Sequence, residues 1–277
     1  MSSHTAWPMP TPSLQHTWLN SLADRLSAPA DPIATDPAKM MTAAGMTPDL
    51  WQRELLQSDW QRALLLCSRQ AGKSSVTAAL AAHTAIYAPG SLTLLLSAAQ
   101  RQSGELFKTV KNFYHSLPNP PAVRQESALQ IELTNGSRII ALPGKEATIR
   151  GYAGVDLLVI DEASRVDDAL YYSVRPMLAV SGGRLIALTT PFGKRGFFHQ
   201  EWTEGGDDWH RVKIVATDVP RISAEFLEEE RRALGDWWHR QEYMCEFMET
   251  VDQVFSYDLI QEAMSSDVLP LWEVSIE

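Results

Sequence analysis

Residues 68–75, with the sequence Ser-Arg-Gln-Ala-Gly-Lys-Ser-Ser, contain the residue types that bind phosphate. Gly72, Lys73 and Ser74 fit the end of the pattern GxxxxGK[ST], in which backbone N–H groups and a lysine surround phosphates. Cys67 stands where that pattern has its first glycine, which weakens the match. The context supports it, because a short apolar run precedes the segment and a helical pattern follows, as a phosphate-binding loop requires. We therefore predict a nucleotide-binding loop, the phosphate loop, made of Ser68, Arg69, Gln70, Ala71, Gly72, Lys73, Ser74 and Ser75.

Two adjacent carboxylates, Asp161 and Glu162, end a second apolar run at residues 157–160. An enzyme that hydrolyses ATP needs one carboxylate near its metal ion and another group to orient water, both close to the phosphates. Lys73 is predicted to reach the β- and γ-phosphates, while the Ser74 hydroxyl and Asp161 hold Mg²⁺. Glu162 is predicted to polarise the attacking water. Two acids after a strand can also cap a helix, but the nearby phosphate loop favours the catalytic interpretation.

Short apolar runs alternate with helical patterns along the chain, and these elements must position the loop and the carboxylates. The runs occupy residues 63–66, 92–96, 157–160 and 185–188, and the helical patterns occupy 48–60, 76–87, 100–115 and 224–247. Residues 129–133 and 138–142 flank an Asn-Gly pair as a hairpin, and 211–216 could add an edge strand. This alternation predicts an α/β, P-loop (ASCE/RecA-like) fold of three layers, with a central mostly parallel sheet and helices on both faces.

Composition limits the classes of function. The chain has 277 residues, is 45% hydrophobic and carries a formal charge of -10. The acidic balance predicts weak, steeply salt-dependent DNA binding by the isolated protein. No apolar run approaches the roughly 20 residues of a membrane helix, so no membrane association is expected. Cys67 and Cys245 lie far apart and near no cluster with metal-ligand spacing, which predicts neither a disulfide framework nor a zinc site.

The domain organisation is predicted in three parts. Residues 1–45 contain scattered prolines and no sustained periodicity, and they are predicted to form a flexible N-terminal arm. Residues 46–255 are predicted to form the P-loop ATPase domain. Residues 256–277 are predicted to be a C-terminal tail or the start of a linker.

The motifs in this order resemble those of the large terminase family of tailed phages and prophages. Residues 68–74 are similar to its variant phosphate loop, which has an arginine four residues before the lysine, and residues 159–163 are similar to its acidic motif. Thr189, Thr190 and Pro191 resemble its coupling motif, which would sense the γ-phosphate; a plain turn after a strand is the alternative. Residues 51–56 resemble its upstream glutamine segment, and residues 240–247 resemble the block that ends its ATPase region.

The resemblance implies roles for three further residues. Gln52 would recognise adenine through its side-chain amide, unless it is a surface glutamine of a helix. Arg69 would neutralise phosphate charge within its own subunit, unless it is an ordinary loop arginine. Arg150, in a glycine-containing loop before Asp161, would enter the catalytic site of a neighbouring subunit; a surface arginine without a partner is the alternative.

The function implied by the resemblance is ATP hydrolysis that powers translocation of double-stranded viral DNA into a procapsid. The implied partners are ATP and Mg²⁺, double-stranded DNA in transient contact, the portal protein, the small terminase subunit and other copies of the chain in a ring. The implied location is the cytoplasm of an infected bacterium, at the procapsid portal. Family members usually continue into an RNase-H-like nuclease, whereas this chain ends at Glu277, so no DNA cleavage is expected from it.

Two other functions stay open from the sequence. A helicase-like ATPase of the ASCE class would share the phosphate loop and the two acids, but it would need a second RecA-like domain. A nucleotide-sensing scaffold for assembly would not need the complete catalytic set of Lys73, Ser74, Asp161 and Glu162.

Overall fold

An eight-stranded sheet forms the centre of the protein in a computed structural model that describes residues 31–143 and 151–249. Its strands are β1 (Arg62–Cys67), β2 (Leu92–Ser97), β3 (Val123–Glu126), β4 (Gln130–Leu133), β5 (Arg138–Pro143), β6 (Leu157–Asp161), β7 (Arg184–Thr189) and β8 (His210–Ile214). Their order across the sheet is β3-β4-β5-β2-β6-β7-β1-β8. The β3–β4 and β4–β5 pairs are antiparallel and the other five pairs are parallel. The predicted mostly parallel sheet is confirmed.

Helices cover both faces of this sheet. They are α1 (Pro32–Thr35), α2 (Ala38–Ala43), α3 (Leu50–Gln57), α4 (Lys73–Tyr87), α5 (Gln100–His115), α6 (Asp168–Val174), α7 (Gly196–Glu204), α8 (Ala224–Leu234) and α9 (Asp236–Glu242). Within the described ranges, none of the helices combines the length and the apolar character needed to cross a bilayer.

Alternate residues of each central strand face opposite layers, which explains why the strands read as continuous apolar runs. On β1, Ala63 and Leu65 pack with apolar residues of α4 and α5, whereas Leu64 and Leu66 pack with those of α6 and α7. Each such leucine is fully buried, which stabilises the fold by about 1.5–3 kcal/mol per side chain. The predicted three-layer arrangement is therefore observed, and it brings the carboxyl ends of β1, β6 and β7 to one edge.

The structure differs from the sequence prediction near the amino-terminal end of the described chain. The prediction of a flexible arm over residues 1–45 is wrong for the part that forms α1 and α2. Met40 and Met41 are buried in the core, and the Nε2 of His83 on α4 lies 2.9 Å from the carbonyl oxygen of Ile33. Both helices are too short to show a helical repeat in the sequence, so tertiary packing rather than periodicity determines them.

Two other elements also differ. The predicted helix over residues 224–247 is two helices, because Gly235 between α8 and α9 has a φ of 81°, in the left-handed region. The β3 strand, with the sequence Val-Arg-Gln-Glu, was not predicted; it is an exposed edge strand and lacks the apolar alternation that marks a half-buried strand.

Candidate nucleotide-binding site

The phosphate loop connects the end of β1 to the start of α4, as the sequence predicts. Gly72 caps α4 in a left-handed conformation, with a φ of 88°. Cys67, at the position of the expected first glycine, is the last residue of β1 and is fully buried, and its φ is not positive. Glycine is therefore not required there. The Ser68 N–H donates to the carbonyl oxygen of Ile214 on β8 at 2.8 Å, which anchors the loop to the sheet.

Gln52 lies directly beneath the phosphate loop. Only 3% of the residue is exposed, so it is not a surface glutamine. Its Nε2 donates to the carbonyl oxygen of Gly72 at 3.2 Å, and its Oε1 accepts from the N–H of Asp49 at 2.9 Å. In this structure the amide supports the loop; recognition of adenine by Gln52 stays a prediction.

An ion pair that the sequence analysis did not find braces the same corner. The guanidinium of Arg221 donates from Nη1 and Nη2 to the two carboxylate oxygens of Asp49, at 2.7 and 2.9 Å. Its Nη2 also lies 3.5 Å from the carbonyl oxygen of Ala71. The two partners are 172 positions apart in the chain, so no local sequence signal could have indicated the pair.

Asp161 and Glu162 lie at the carboxyl end of β6, beside the phosphate loop. The Nζ of Lys73 is 3.6 Å from Oε1 of Glu162, which places the two predicted catalytic groups together. Glu162 has a φ of 50°, an unusual left-handed conformation for a non-glycine residue that is common at functional sites. Burial first and the Glu162 charge second raise the pKa of Asp161 to about 6. Both causes disfavour the charged form of the Asp161 carboxyl group.

The oxygen donors at this edge fit a magnesium ion. Asp161 is 7% exposed, and its Oδ1 accepts the Glu162 N–H, so only part of its carboxylate is occupied. Among the described residues, no group of three or more His, Cys, Asp or Glu side chains could hold a metal by itself. Mg²⁺ usually binds through one or two protein oxygens and completes its shell with phosphates and water, which suits Asp161 and the Ser74 hydroxyl.

Arg69 is held by a glutamate from the end of α9. The Nε of Arg69 donates to Oε2 of Glu242 at 2.7 Å, and the Arg69 N–H donates to the Glu242 carbonyl oxygen at 3.2 Å. The side chain of Glu242 is 7% exposed and that of Arg69 is 62% exposed. The bond with Glu242 raises the pKa of Arg69. Sequence reasoning identified the block containing Glu242 but not this residue's contact with the loop.

The predicted coupling residues connect two strand ends. Thr189, at the end of β7, donates from Oγ1 to the Thr190 carbonyl oxygen at 2.7 Å and accepts the Ser164 N–H at 3.3 Å. Thr189 and Pro191 are buried, and Thr190 is 4% exposed. The end of β7 is thereby bonded to the segment that follows Glu162. Arg150 lies outside the described residues, so its role stays a prediction.

Ser97 also lies at this edge of the sheet, and sequence reasoning missed it. It ends β2 and is in register with Asp161 on β6. Its hydroxyl is buried and has no hydrogen-bond partner within the part of the chain that the structure describes. The only signal in the sequence is a single serine after the apolar run of residues 92–96.

Comparison with known proteins agrees with this geometry. The sequence pattern of the family described as terminase large subunit, T4likevirus-type, N-terminal, matches residues 64–262. The large terminase subunit of Escherichia phage T5 is 29% identical over 133 residues, which are 46% of this chain and 30% of that protein. The ATPase domain of the Thermus phage P74-26 large terminase superposes with a TM-score of 0.65 at 21% identity, covering 76% of this chain and 98% of that one.

A large terminase of a thermophilic bacteriophage, solved in complex with ADP, has the same fold, with a TM-score of 0.60 at 15% identity. The alignment covers 76% of this chain and 53% of that one. The chain thus spans 30% of the length of the phage T5 subunit and 53% of the length of this second relative. Because the family pattern covers most of the chain, from β1 past α9, the protein belongs to the terminase large subunit family and corresponds to its N-terminal, P-loop part.

Proposed function

We propose that this chain binds and hydrolyses ATP and that the hydrolysis drives double-stranded viral DNA into a procapsid. The observation that carries the proposal is the meeting of the phosphate loop with the tip of β6, where the Nζ of Lys73 lies 3.6 Å from Glu162. A lysine, a water-orienting carboxylate and a metal-binding carboxylate at one edge are the parts that ATP hydrolysis needs. Membership of the terminase large subunit family supports the assignment to DNA packaging.

The chain's own groups would share the work as follows. Lys73 and the backbone of residues 68–75 hold the β- and γ-phosphates at the amino-terminal end of α4. Glu162, whose Oε1 lies 3.6 Å from the Nζ of Lys73, would accept a proton from the attacking water. Mg²⁺, held by Ser74 and Asp161, would neutralise charge on the phosphates when bound. Arg69 would leave Glu242 and place its guanidinium near the transferred phosphate.

Thr189, Thr190 and Pro191 would couple the chemistry to motion. The bond from the Ser164 N–H to Thr189 supports this role, because it ties the coupling residues to the segment after the catalytic carboxylate. Gln52 would contact adenine if its side-chain amide gave up the hydrogen bond to the Gly72 carbonyl oxygen and bonded to the base instead. Arg150 would complete the site of a neighbouring copy in a ring.

Membership of the family supports a proposal for the partners and the setting. We propose transient contact with double-stranded DNA, the portal protein, the small terminase subunit and other copies of this chain, in the host cytoplasm at the procapsid portal. Residues 46–255 would form the ATPase domain together with α1 and α2, which pack on it. The rest of the predicted arm, residues 1–30, and the predicted tail or linker, residues 256–277, lie outside the described residues.

Two variants test the assignment of the catalytic site. Lys73→Ala should remove nucleotide binding and turnover, because it deletes the lysine that reaches the phosphates. Glu162→Gln should keep nucleotide binding and lower the rate of hydrolysis by at least about 10². Binding of a fluorescent ATP analogue and steady-state phosphate release measure the two effects.

Glu105→Gln, on the exposed surface of α5, is the matched control and should keep both properties. Turnover retained by Lys73→Ala would contradict the site assignment. Loss of nucleotide binding in Glu162→Gln would show that Glu162 has a structural role. For the packaging function, ATP-dependent movement along duplex DNA without strand separation is expected, and separation of the strands would instead indicate a helicase.

A further inference from the structure

Two arginines stack on one phenylalanine at the catalytic edge of the sheet. The guanidinium carbon of Arg165 lies 3.9 Å from the centroid of the Phe192 ring, and that of Arg195 lies 4.7 Å from it. Arg165 ends the short 3-10 helix that follows Glu162, and Arg195 precedes α7. We name Arg165 and Arg195, which both stack on Phe192, the arginine pair. The aromatic ring holds both cations in place through cation–π contacts.

Neither arginine of the pair has an ion-pair partner within the described ranges. Both arginines are exposed, and neither forms an ion pair with an acidic side chain there. The nearby carboxylate of Asp168 is engaged elsewhere, since its Oδ1 accepts the Phe197 N–H. Arg231 on α8, by contrast, forms ion pairs with Glu228 and Asp236. Two neighbouring cations that have no ion-pair partner among the described residues offer a local binding site for an anion, although the chain as a whole has a net charge of -10.

The arginine pair is attached to both segments that would respond to ATP. The Arg165 N–H donates to the Glu162 carbonyl oxygen at 2.9 Å, within a single turn after the catalytic carboxylate. Phe192 directly follows the coupling residues Thr189 to Pro191 on the chain. A shift of the β6 tip or the β7 tip would therefore move a guanidinium or the ring on which both guanidinium groups rest.

We propose that the arginine pair binds phosphate groups of the DNA backbone and that its affinity for them depends on which nucleotide occupies the nucleotide-binding site. This inference rests on the proposed function, because it names the contact through which hydrolysis would act on DNA. Guanidinium groups suit this task, since each presents several N–H donors in one plane to phosphate oxygens. Backbone contacts carry no sequence information, as a motor that moves any DNA requires.

The test measures binding of the full chain to a short fluorescein-labelled DNA duplex by fluorescence anisotropy, over a series of NaCl concentrations, with Mg²⁺ and either ATPγS or ADP. The double variant Arg165→Ala/Arg195→Ala removes two phosphate contacts. The slope of log K against log salt should therefore become less steep by about 2, and affinity at low salt should fall at least about tenfold. The difference in affinity between ATPγS and ADP should shrink as well.

Three comparisons separate this role from general charge or folding effects. Arg231→Ala/Arg232→Ala removes the same charge from α8 and should keep the slope within about 0.5 of that of the unchanged protein. Arg165→Lys/Arg195→Lys keeps the charge and should keep the slope, with weaker binding because lysine loses the planar fork. Phe192→Leu keeps both arginines and should lower affinity without changing the slope by 2, since it removes only the ring that holds them.

The outcomes distinguish the inference from the proposed function. If the unchanged protein binds duplex DNA and the alanine double variant binds with the same slope and affinity, the inference is overturned while the motor assignment stands. If that variant keeps DNA affinity but loses ATP turnover that depends on protein concentration, the pair serves a neighbouring subunit's nucleotide, and the inference is again overturned. If the unchanged protein shows no salt-dependent DNA binding, both the inference and the DNA-moving function are contradicted.

Discussion

Replacing Gly72 by alanine should disrupt the phosphate loop through two separable costs. The first is backbone strain, because the φ of 88° is in the left-handed region, which costs an alanine about 1 kcal/mol. The second is a collision, because a Cβ at this position would lie 2.6 Å from Nε2 of Gln52. Gln52 would have to move and give up its hydrogen bond to the Gly72 carbonyl oxygen. A buried amide that loses its partner costs about 1–3 kcal/mol.

The expected loss of folding stability for Gly72→Ala is therefore about 3 kcal/mol, from the sum of the two costs. Gly90→Ala supplies the matched control, because Gly90 has a φ of 80° and its Cβ would meet nothing within 4 Å. It should lose only about 1 kcal/mol from backbone strain. Urea unfolding of each variant measures both losses, and affinity for a fluorescent ATP analogue should fall only for Gly72→Ala.

A double-mutant cycle isolates the contact with Gln52. In a Gln52→Ala background the collision is absent, so Gly72→Ala should cost about 1 kcal/mol instead of about 3, a coupling of about 2 kcal/mol. The reasoning is refuted if the two changes are additive within about 0.5 kcal/mol, or if Gly72→Ala is no more destabilising than Gly90→Ala.

Three further changes have definite expected outcomes. Glu242→Gln neutralises the partner of the largely exposed Arg69 and should lower stability by only about 0.5–1 kcal/mol, read from the urea midpoint; an unchanged midpoint would show that the pair contributes nothing. Gly183→Ala would place Cβ 1.9 Å from the Val155 carbonyl oxygen, a backbone atom, so it should cost more than about 3 kcal/mol and sharply reduce soluble yield. Burial lowers the pKa of His83, so the folded state binds fewer protons at this histidine than the unfolded chain does. The stability that neutral His83 contributes is therefore fully present above the ordinary histidine pKa. It is lost as the pH falls through the lowered pKa of the folded state. When the pH is lowered from about 7.5 to about 5.5, the melting temperature of His83→Gln should therefore fall less than that of the unchanged protein. Equal falls in the two proteins would contradict this account.

Local features of the sequence were sufficient to predict the fold class and the centre of the site. The order of strand, loop and helix around Gly72 and Lys73 is written in about twenty consecutive residues, and so is the strand that ends in Asp161 and Glu162. The predicted bounds of α5, residues 100–115, agree with those observed, because a long amphipathic repeat is a local signal. The family resemblance has the same origin, since it rests on short motifs in a characteristic order.

Tertiary structure decided which distant residues complete the site. The sheet order puts β1 between β7 and β8, and this brings α9 to the phosphate loop, so that Glu242 reaches Arg69 across 173 positions. The same packing buries Gln52 under Gly72, a contact that its amphipathic helix does not predict. It also packs α1 and α2 onto the core, where their sequences indicated only an arm.

The arginine pair is the clearest example of a contact that tertiary structure, and not local sequence, determined. Arg165, Phe192 and Arg195 are unremarkable in the sequence, where Arg165 follows one motif, Phe192 and Arg195 follow another, and none belongs to a recognisable pattern. They meet because β6 and β7 are parallel neighbours whose carboxyl ends lie side by side, which puts the segment after Glu162 against the segment after Thr190. Local sequence therefore determined which chemical groups the strands deliver. Only the order and direction of those strands decided which groups come within contact distance, because that depends on how the apolar faces of the whole sheet are buried together.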